Sequence, residues 1–367
     1  MKTRLFLIIM LITSLLSTSA NASSLFKEEV KKIVTKNYPV KSDPKLSIDS
    51  KYGNIDIIEW DRQEINFSVE IIGKADNKED AEVMVNRVSI DFSKNGNSIS
   101  AKTVFEDTPN KYRRGNTSTT VNYTVNVPKD VYMNLINKYG NIKVGTVYKD
   151  FEVDVKYGNL SGDNLLSENN DLNVKYGNIG LDNCKNATIN IAYGSCNVKN
   201  IDNLVLTQAY SNFKATKIGS LELTSKYDNF NIGEVTTLSA TAAYSTLKIG
   251  KLNNSLVIGT IKYGNIKVNE VALDFSKINI DAAYTDINLG IGKEHNFHSE
   301  LYTRYGNIRT GDITFSVKFN EEGGVGKSSK SAAWHGQNKY VLGIAGKEKD
   351  PKATVKIINS YSDIVLQ

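Results

Sequence analysis

The chain has 367 residues, 40% of them hydrophobic and 23% charged, with a formal net charge of +5. Lys2 and Arg4 stand ahead of a short apolar run, so the remainder carries about +3, too close to neutral for a nucleic-acid binder. Five prolines and 26 glycines suit a turn-rich β protein.

The apolar run Leu5–Leu16 is too short for a comfortable membrane span. Ala20-Asn21-Ala22 has the small-residue pattern of a cleavage site. Residues 1–22 are therefore predicted as a signal peptide, with the mature chain starting near Ser23. No later segment is apolar enough to cross a bilayer. The expectation is export to the periplasm or cell surface with no transmembrane segment.

Leu25–Tyr38 reads as an amphipathic helix with Phe26, Val30, Ile33 and Val34 on one face, so residues 23–45 are expected to be a capping helix and linker. Residues 46–137 hold a first repeat and a β-rich insertion. Strand-like runs there are Ile65–Ile72, Val88–Phe92, Ser98–Phe105 and Thr119–Val127. Lys78–Val88 looks helical, Asn95-Gly96-Asn97 marks a hairpin turn, and Thr108–Ser118 is a polar loop.

Residues 138–311 are the regular part. The phrase Lys-Tyr-Gly-Asn-Ile stands in full at Lys51–Ile55, Lys138–Ile142, Lys175–Ile179 and Lys262–Ile266, and eight close variants bring the copies to twelve. Between Tyr139 and Tyr305 the motif tyrosines are 18, 19, 17, 17, 17, 17, 19, 21 and 21 residues apart. A fixed period near 20 is the mark of a stacked repeat protein. No helical pattern fits between the copies. The predicted fold is all-β: a parallel β-solenoid, or β-helix, of about 17–21 residues per coil, with a right-handed crossover as the expected hand.

Counted from each Tyr, positions −6, −4, +3, +5 and +8 are mostly apolar. By the two-residue strand period, −6, −4 and the Tyr itself share the inward face. Gly-Asn after the Tyr makes a corner that resets the phase, and a second turn is expected near +6 to +7. Position +2 is Asn54, Asn141, Asn159, Asn178, Asn212, Asn229, Asn265 and Asn307 in eight coils and Ser, Thr or Asp in the rest. These short polar residues read as a structural corner ladder. Position −1 points outward and carries Lys51, Lys138, Lys156, Lys175, Lys226, Lys262 and Arg304, a candidate binding stripe interrupted by alanines. Cys184 (+8) and Cys196 (+3) replace core aliphatics and read as small buried hydrophobes, with a disulfide left open.

Residues 312–367 end the chain with strands near Ile313–Phe319 and Lys339–Ile344, a Gly-Ser loop at Glu322–Ser331 and a final half-repeat at Val355–Leu366.

Parallel β-helices also carry glycan-cleaving enzymes, which need paired carboxylates at a set separation. Asp154, Asp163, Asp171 and Asp182 are candidates but scatter over different registers. His295, His298 and His335 lack acidic or thiol partners at ligand spacing, so no metal is expected. Gly323-Gly324-Val325-Gly326-Lys327 does not follow the phosphate-loop spacing, and no cofactor is expected.

Leu46–Trp60, the strand-rich interruption ending in Tyr123–Pro128, and Asn137–Ile142 resemble a domain-of-unknown-function group of exported bacterial proteins known as "putative adhesins", related to autotransporter adhesin head domains. The resemblance covers most of the mature chain. It implies a solenoid that binds at a surface, with no defined functional residues. The expected function is a non-enzymatic envelope protein that binds a glycan, a surface polymer or an envelope protein. A structural or stress-reporting component acting through a protein partner is the alternative, and a glycan-cleaving enzyme comes third.

Overall fold

The computed structural model describes residues 27–107, 116–316, 333–335 and 338–367. The expected signal peptide, most of the polar loop and the Gly-Ser loop lie outside the described residues, and so does the side chain of His335.

The repeat builds a parallel β-solenoid. Strands Asn178–Ala192, Ser195–Ala209, Asn212–Lys226 and Asn229–Ala243 stack in parallel, like residue on like residue. Each runs nearly one whole coil and breaks only at the Tyr corner. The ladder skips one pair at +6, between Leu181↔Val198 and Asn183↔Asn200, where the second turn was expected near +6 to +7, and one at +9, between Cys184↔Ile201 and Asn186↔Asn203. Earlier coils split there into two strands, as at Ile142–Val147 and Phe151–Lys156.

Inward positions fill a single continuous core, with Leu206, Ile189, Leu172 and Leu135 in the −4 column and Ile179, Cys196, Phe213 and Phe230 in the +3 column. The tyrosines do not join it. All twelve sit in the left-handed region, with φ between 52° and 64°, and their rings are 40–51% exposed. The strand period alone places Tyr inward with −6 and −4. The left-handed corner reverses that phase, and position −2 is the last inward residue before the turn, as at Val155, Val174 and Ile191.

Strand Thr246–Val271 carries two extra residues relative to its neighbour, one between Leu252 and Ser255 and one at Gly259. These account for the 19-residue spacing from Tyr244 to Tyr263. The second bulge moves the inward set by one, so Leu256 and Ile258 are buried where the spacing pointed to Val257 and Gly259.

The ends depart most from the reading of the sequence. Residues Glu28–Pro39 form a strand and not a helix, paired antiparallel with Glu64–Ala75. Val30, Val34 and Tyr38 recur every four residues, which fits a strand face as well as a helix face. The β-branched run Ile33-Val34-Thr35 and pairing to a neighbour settle it as strand. Lys78–Asn86 is the helix, capped by Asn77, whose side chain accepts from the Asp80 N–H at 2.9 Å. It buries Ala81, Met84 and Val85.

The 87-residue gap between Tyr52 and Tyr139 leaves no gap in space. Lys45–Lys51 pairs directly with Tyr132–Lys138. The insertion lays Ser98–Phe105 and Ser118–Val127 on the other side of the first coil, both parallel to it, and so covers the open end. At the other terminus the chain order and the spatial order differ. Strand Thr354–Ser360 inserts between Lys277–Leu289 and Phe297–Arg304, parallel to both. The last coil in sequence is the second-last in space, and the antiparallel strand Asn338–Ala345 covers the outer one.

Candidate functional site

Two repetitive surfaces run along the solenoid axis. The first is the corner ridge. Its tyrosines stack in the order 52, 139, 157, 176, 193, 210, 227, 244, 263, 284, 361, 305, with ring centroids 4.5–5.1 Å apart and planes within 15° of parallel. Phe105 meets Tyr52 edge-on at 5.5 Å and closes one end, and the Arg304 guanidinium lies 4.9 Å from the Tyr305 ring at the other. Each inner ring has both faces covered by its neighbours. The ridge therefore presents ring edges and hydroxyls, not open aromatic faces on which a sugar could stack.

The corner is held in two ways, according to the residue after Tyr. Where it is glycine, Gly264 excepted, the +2 residue bridges coils through a side chain: the Asn159 N–H donates to Asn141 Oδ1 at 2.9 Å and the Asn178 N–H to Asn159 Oδ1 at 3.0 Å. From Asn212 to Asn265 the +2 N–H turns to a backbone carbonyl, as Asn229 to Ser211 at 3.2 Å and Thr246 to Asp228 at 2.9 Å. There the +1 side chain folds inside. Ser211 Oγ donates to the Ala209 carbonyl at 2.8 Å and accepts from the Gly194 N–H at 3.1 Å. Ser245 and Thr285 repeat the arrangement. Asp228 is the charged member of this column. It accepts from the Ser211 and Lys226 N–H groups and from Ser225 Oγ, at 2.7–2.8 Å. Burial pushes its carboxyl above the usual range, against the hydrogen bonds from Ser225, Ser211 and Lys226 that pull it down.

The basic stripe flanks the ridge. Lys51, Lys138, Lys156 and Lys175 occupy four successive rungs in direct register. Lys226, Lys262 and Arg304 follow singly, with alanines on the rungs between and Ser360 on the rung beside Arg304, and the Lys226 ammonium sits 5.4 Å from the Tyr227 ring. Of the +2 ladder, Asn54, Asn141, Asn159 and Asn178 form the side-chain-bonded corners, and Asn212, Asn229 and Asn265 the backbone-bonded ones. Asn307 binds Asp363 through the inserted C-terminal coil.

The second surface was not singled out in the sequence. Positions −5 and −7 face outward on the same long strands and line a groove of about 1090 Å³. It begins at the hairpin Val88–Asn95 and Ser98–Phe105 and crosses the coils to Ser220 and Glu222. Carboxamides and carboxylates bond one another across its rungs: Asn134 Nδ2 donates to Glu152 at 2.7 Å, Asn169 Nδ2 to Asp150 at 3.2 Å, and Asn203 Nδ2 to Asn186 Oδ1 at 2.7 Å. No single motif marks these columns. The available signal was the run of short polar residues at −5 and −7.

The chemistry sought in the sequence does not converge. Asp154 lies three residues before its Tyr, Asp171 five before, and Asp163 and Asp182 six after theirs; Asp182 pairs with Lys199 at 2.8 Å. His295 is buried, with Nδ1 accepting from the Gly292 N–H at 3.1 Å and Nε2 2.9 Å from the Val271 carbonyl oxygen. It pins a loop. His298 lies 3.4 Å from Asp350 at the surface. Among the described residues no three His, Cys, Asp or Glu side chains cluster as metal ligands, and no helix is long and apolar enough to cross a membrane. Cys184 and Cys196 are free buried thiols, each pushed up to about 12 by burial.

Several solved structures are similar to this chain at low identity and low TM-score. A "putative adhesin" from Bacteroides fragilis NCTC 9343 is 11% identical over 65% of this chain and 97% of its own, with a TM-score of 0.35. A "putative lipid binding protein" from Parabacteroides distasonis ATCC 8503 is 14% identical over 67% of this chain and 96% of its own, with a TM-score of 0.34. A "putative adhesin" from Parabacteroides merdae ATCC 43184 is 13% identical over 68% and 97%, with a TM-score of 0.22. Likenesses this distant carry no function over. No curated protein matches the chain. Residues 44–340, from just before the first Tyr corner through the inserted strands to the C-terminal hairpin, match the Toastrack DUF4097 model, and the chain belongs to that family.

Proposed function

We propose that this chain is a non-catalytic binding protein of the bacterial cell envelope that holds an extended glycan, surface polymer or protein along its axis. The observation that carries this reading is the register of its outer columns. Like side chains recur at the same height, with a tyrosine every 4.5–5.1 Å and lysines on four successive rungs. A partner with its own short repeat can then make many weak contacts at once, which adds avidity without any strong single site. Asp154, Asp163, Asp171 and Asp182, the candidate carboxylates for a cleavage reaction, do not fall in one column.

The test is a glycan and envelope-polymer array on the mature chain at low and at physiological salt. A saturable hit that weakens with salt, and is lost when Lys51, Lys138, Lys156 and Lys175 become Glu, supports binding on the stripe. A blank array speaks against polymer binding. The second reading is a protein partner, favoured by strand Glu28–Pro39, which among the described residues pairs with one other strand only, on one side. Co-purification of one stoichiometric partner from envelope extract supports it.

A further inference from the structure

The groove at positions −5 and −7 differs from the stripe in both shape and charge. It is concave, crosses nine strands and so extends roughly 38 Å at the usual strand spacing. Its floor belongs to strands already paired on both sides, which leaves no backbone edge for a peptide to join. Tyr132 and Val205 are its chief partly exposed apolar side chains, too few for the buried aromatic anchors a protein partner needs. What the groove does offer is hydrogen-bonding capacity at every rung.

We infer that this groove is a binding site for a linear glycan that carries no acidic groups. The inference rests on the polymer-binding reading above and names the site and the ligand class. Three observations converge on it. Carboxylate and carboxamide acceptors recur at strand spacing, close to the rise of one sugar in an extended chain, so successive hydroxyls meet successive rungs. Among the described residues Asp171 and Glu222 have no hydrogen-bond or ion-pair partner, and both are exposed to accept from ligand hydroxyls. Finally, the lining carries five carboxylates, Asp150, Glu152, Glu168, Asp171 and Glu222, against one basic side chain, Lys45, so a polyanion would meet net repulsion along it. The basic stripe lies four residues along the same strands, about 13 Å away, beyond a Debye length at physiological salt. The two surfaces therefore select ligands independently.

The experiment is calorimetric titration of the mature chain with three neutral hexasaccharides (cellohexaose, N-acetylchitohexaose and mannohexaose) and with hexagalacturonate. The expected result is saturable one-to-one binding of at least one neutral hexamer. It should be weakened tenfold or more in D171A/E222A, be unchanged in K214A/K248A, which lie on neither surface, and differ little between 50 and 150 mM salt. Both double variants change exposed side chains, and circular dichroism confirms that they fold. Failure of all three neutral hexamers to bind, or binding indifferent to D171A/E222A, overturns the inference. Binding of hexagalacturonate alone, abolished by K138E/K156E, also overturns it while leaving the polymer-binding reading standing on the stripe. If neither these probes nor the array finds a ligand, both fall.

Discussion

A Cβ built on Gly158 would stand 1.9 Å from the carbonyl oxygen of Gly140 in the coil below. The same contact recurs between Gly140 and Gly53 at 1.8 Å and between Gly177 and Gly158 at 1.7 Å. The glycine of the repeated phrase is thus there for the approach of coils. The left-handed backbone falls on the tyrosine before it.

Gly158→Ala should therefore destabilise the fold by about 2 kcal/mol or more, the cost of forcing an atom into a packed backbone. Gly180→Ala is the control, since nothing lies within 4 Å of its added Cβ. It should be neutral or slightly stabilising. Urea midpoints of the two variants distinguish them.

A tyrosine in the left-handed region costs about 1–2 kcal/mol, and each stacked pair returns about 0.5–1.5 kcal/mol beyond its area. Tyr176→Ala keeps the strain and removes two stacks, so it should lose about 1–3 kcal/mol. Tyr176→Asn should lose less, because Asn tolerates this conformation. Thermal melts of the pair test whether stacking offsets strain.

Asp228 has a folded pKa raised by burial, so the native state binds its proton more tightly than the unfolded chain does. Its contribution to stability is full below the unfolded pKa and is lost as pH rises through the folded one. Between pH 4 and 7 the stability difference between wild type and Asp228→Asn should shift in favour of the variant as pH rises. Urea midpoints across that range measure it. A pH-independent difference would contradict the assignment.

Both thiols are pushed up to about 12, so almost no thiolate exists near neutrality. Cys184 and Cys196 should resist maleimide at pH 7 in the native protein and react once it is unfolded. Mass spectrometry of the labelled protein reads this directly.

Truncation after residue 350 removes the strand lodged between Lys277–Leu289 and Phe297–Arg304. Hydrogen exchange should then show lost protection around Tyr284 and Tyr305, with the coils from Tyr139 to Tyr244 unchanged, because solenoid stability is summed over neighbouring coils.

Much of this architecture was written in the chain itself. The tyrosine spacing dictated a stacked β repeat, and the apolar positions +3, +8 and −4 named the core, because like residues must stack on like residues once coils are in register. The short polar +2 positions named the corner. What the sequence could not carry was any feature set by a neighbouring coil. The phase of the tyrosines depended on a left-handed turn that a two-residue period does not contain. The strand at Glu28–Pro39 was ambiguous alone, since a four-residue recurrence serves helix and strand equally, and pairing with Glu64–Ala75 decided it. The insertion of Thr354–Ser360 between earlier coils, and the joining of residues from Ser47 to Glu222 into one groove, are relations across many coils. A local pattern fixes what each rung looks like; only the stacking of rungs determines which surfaces they share.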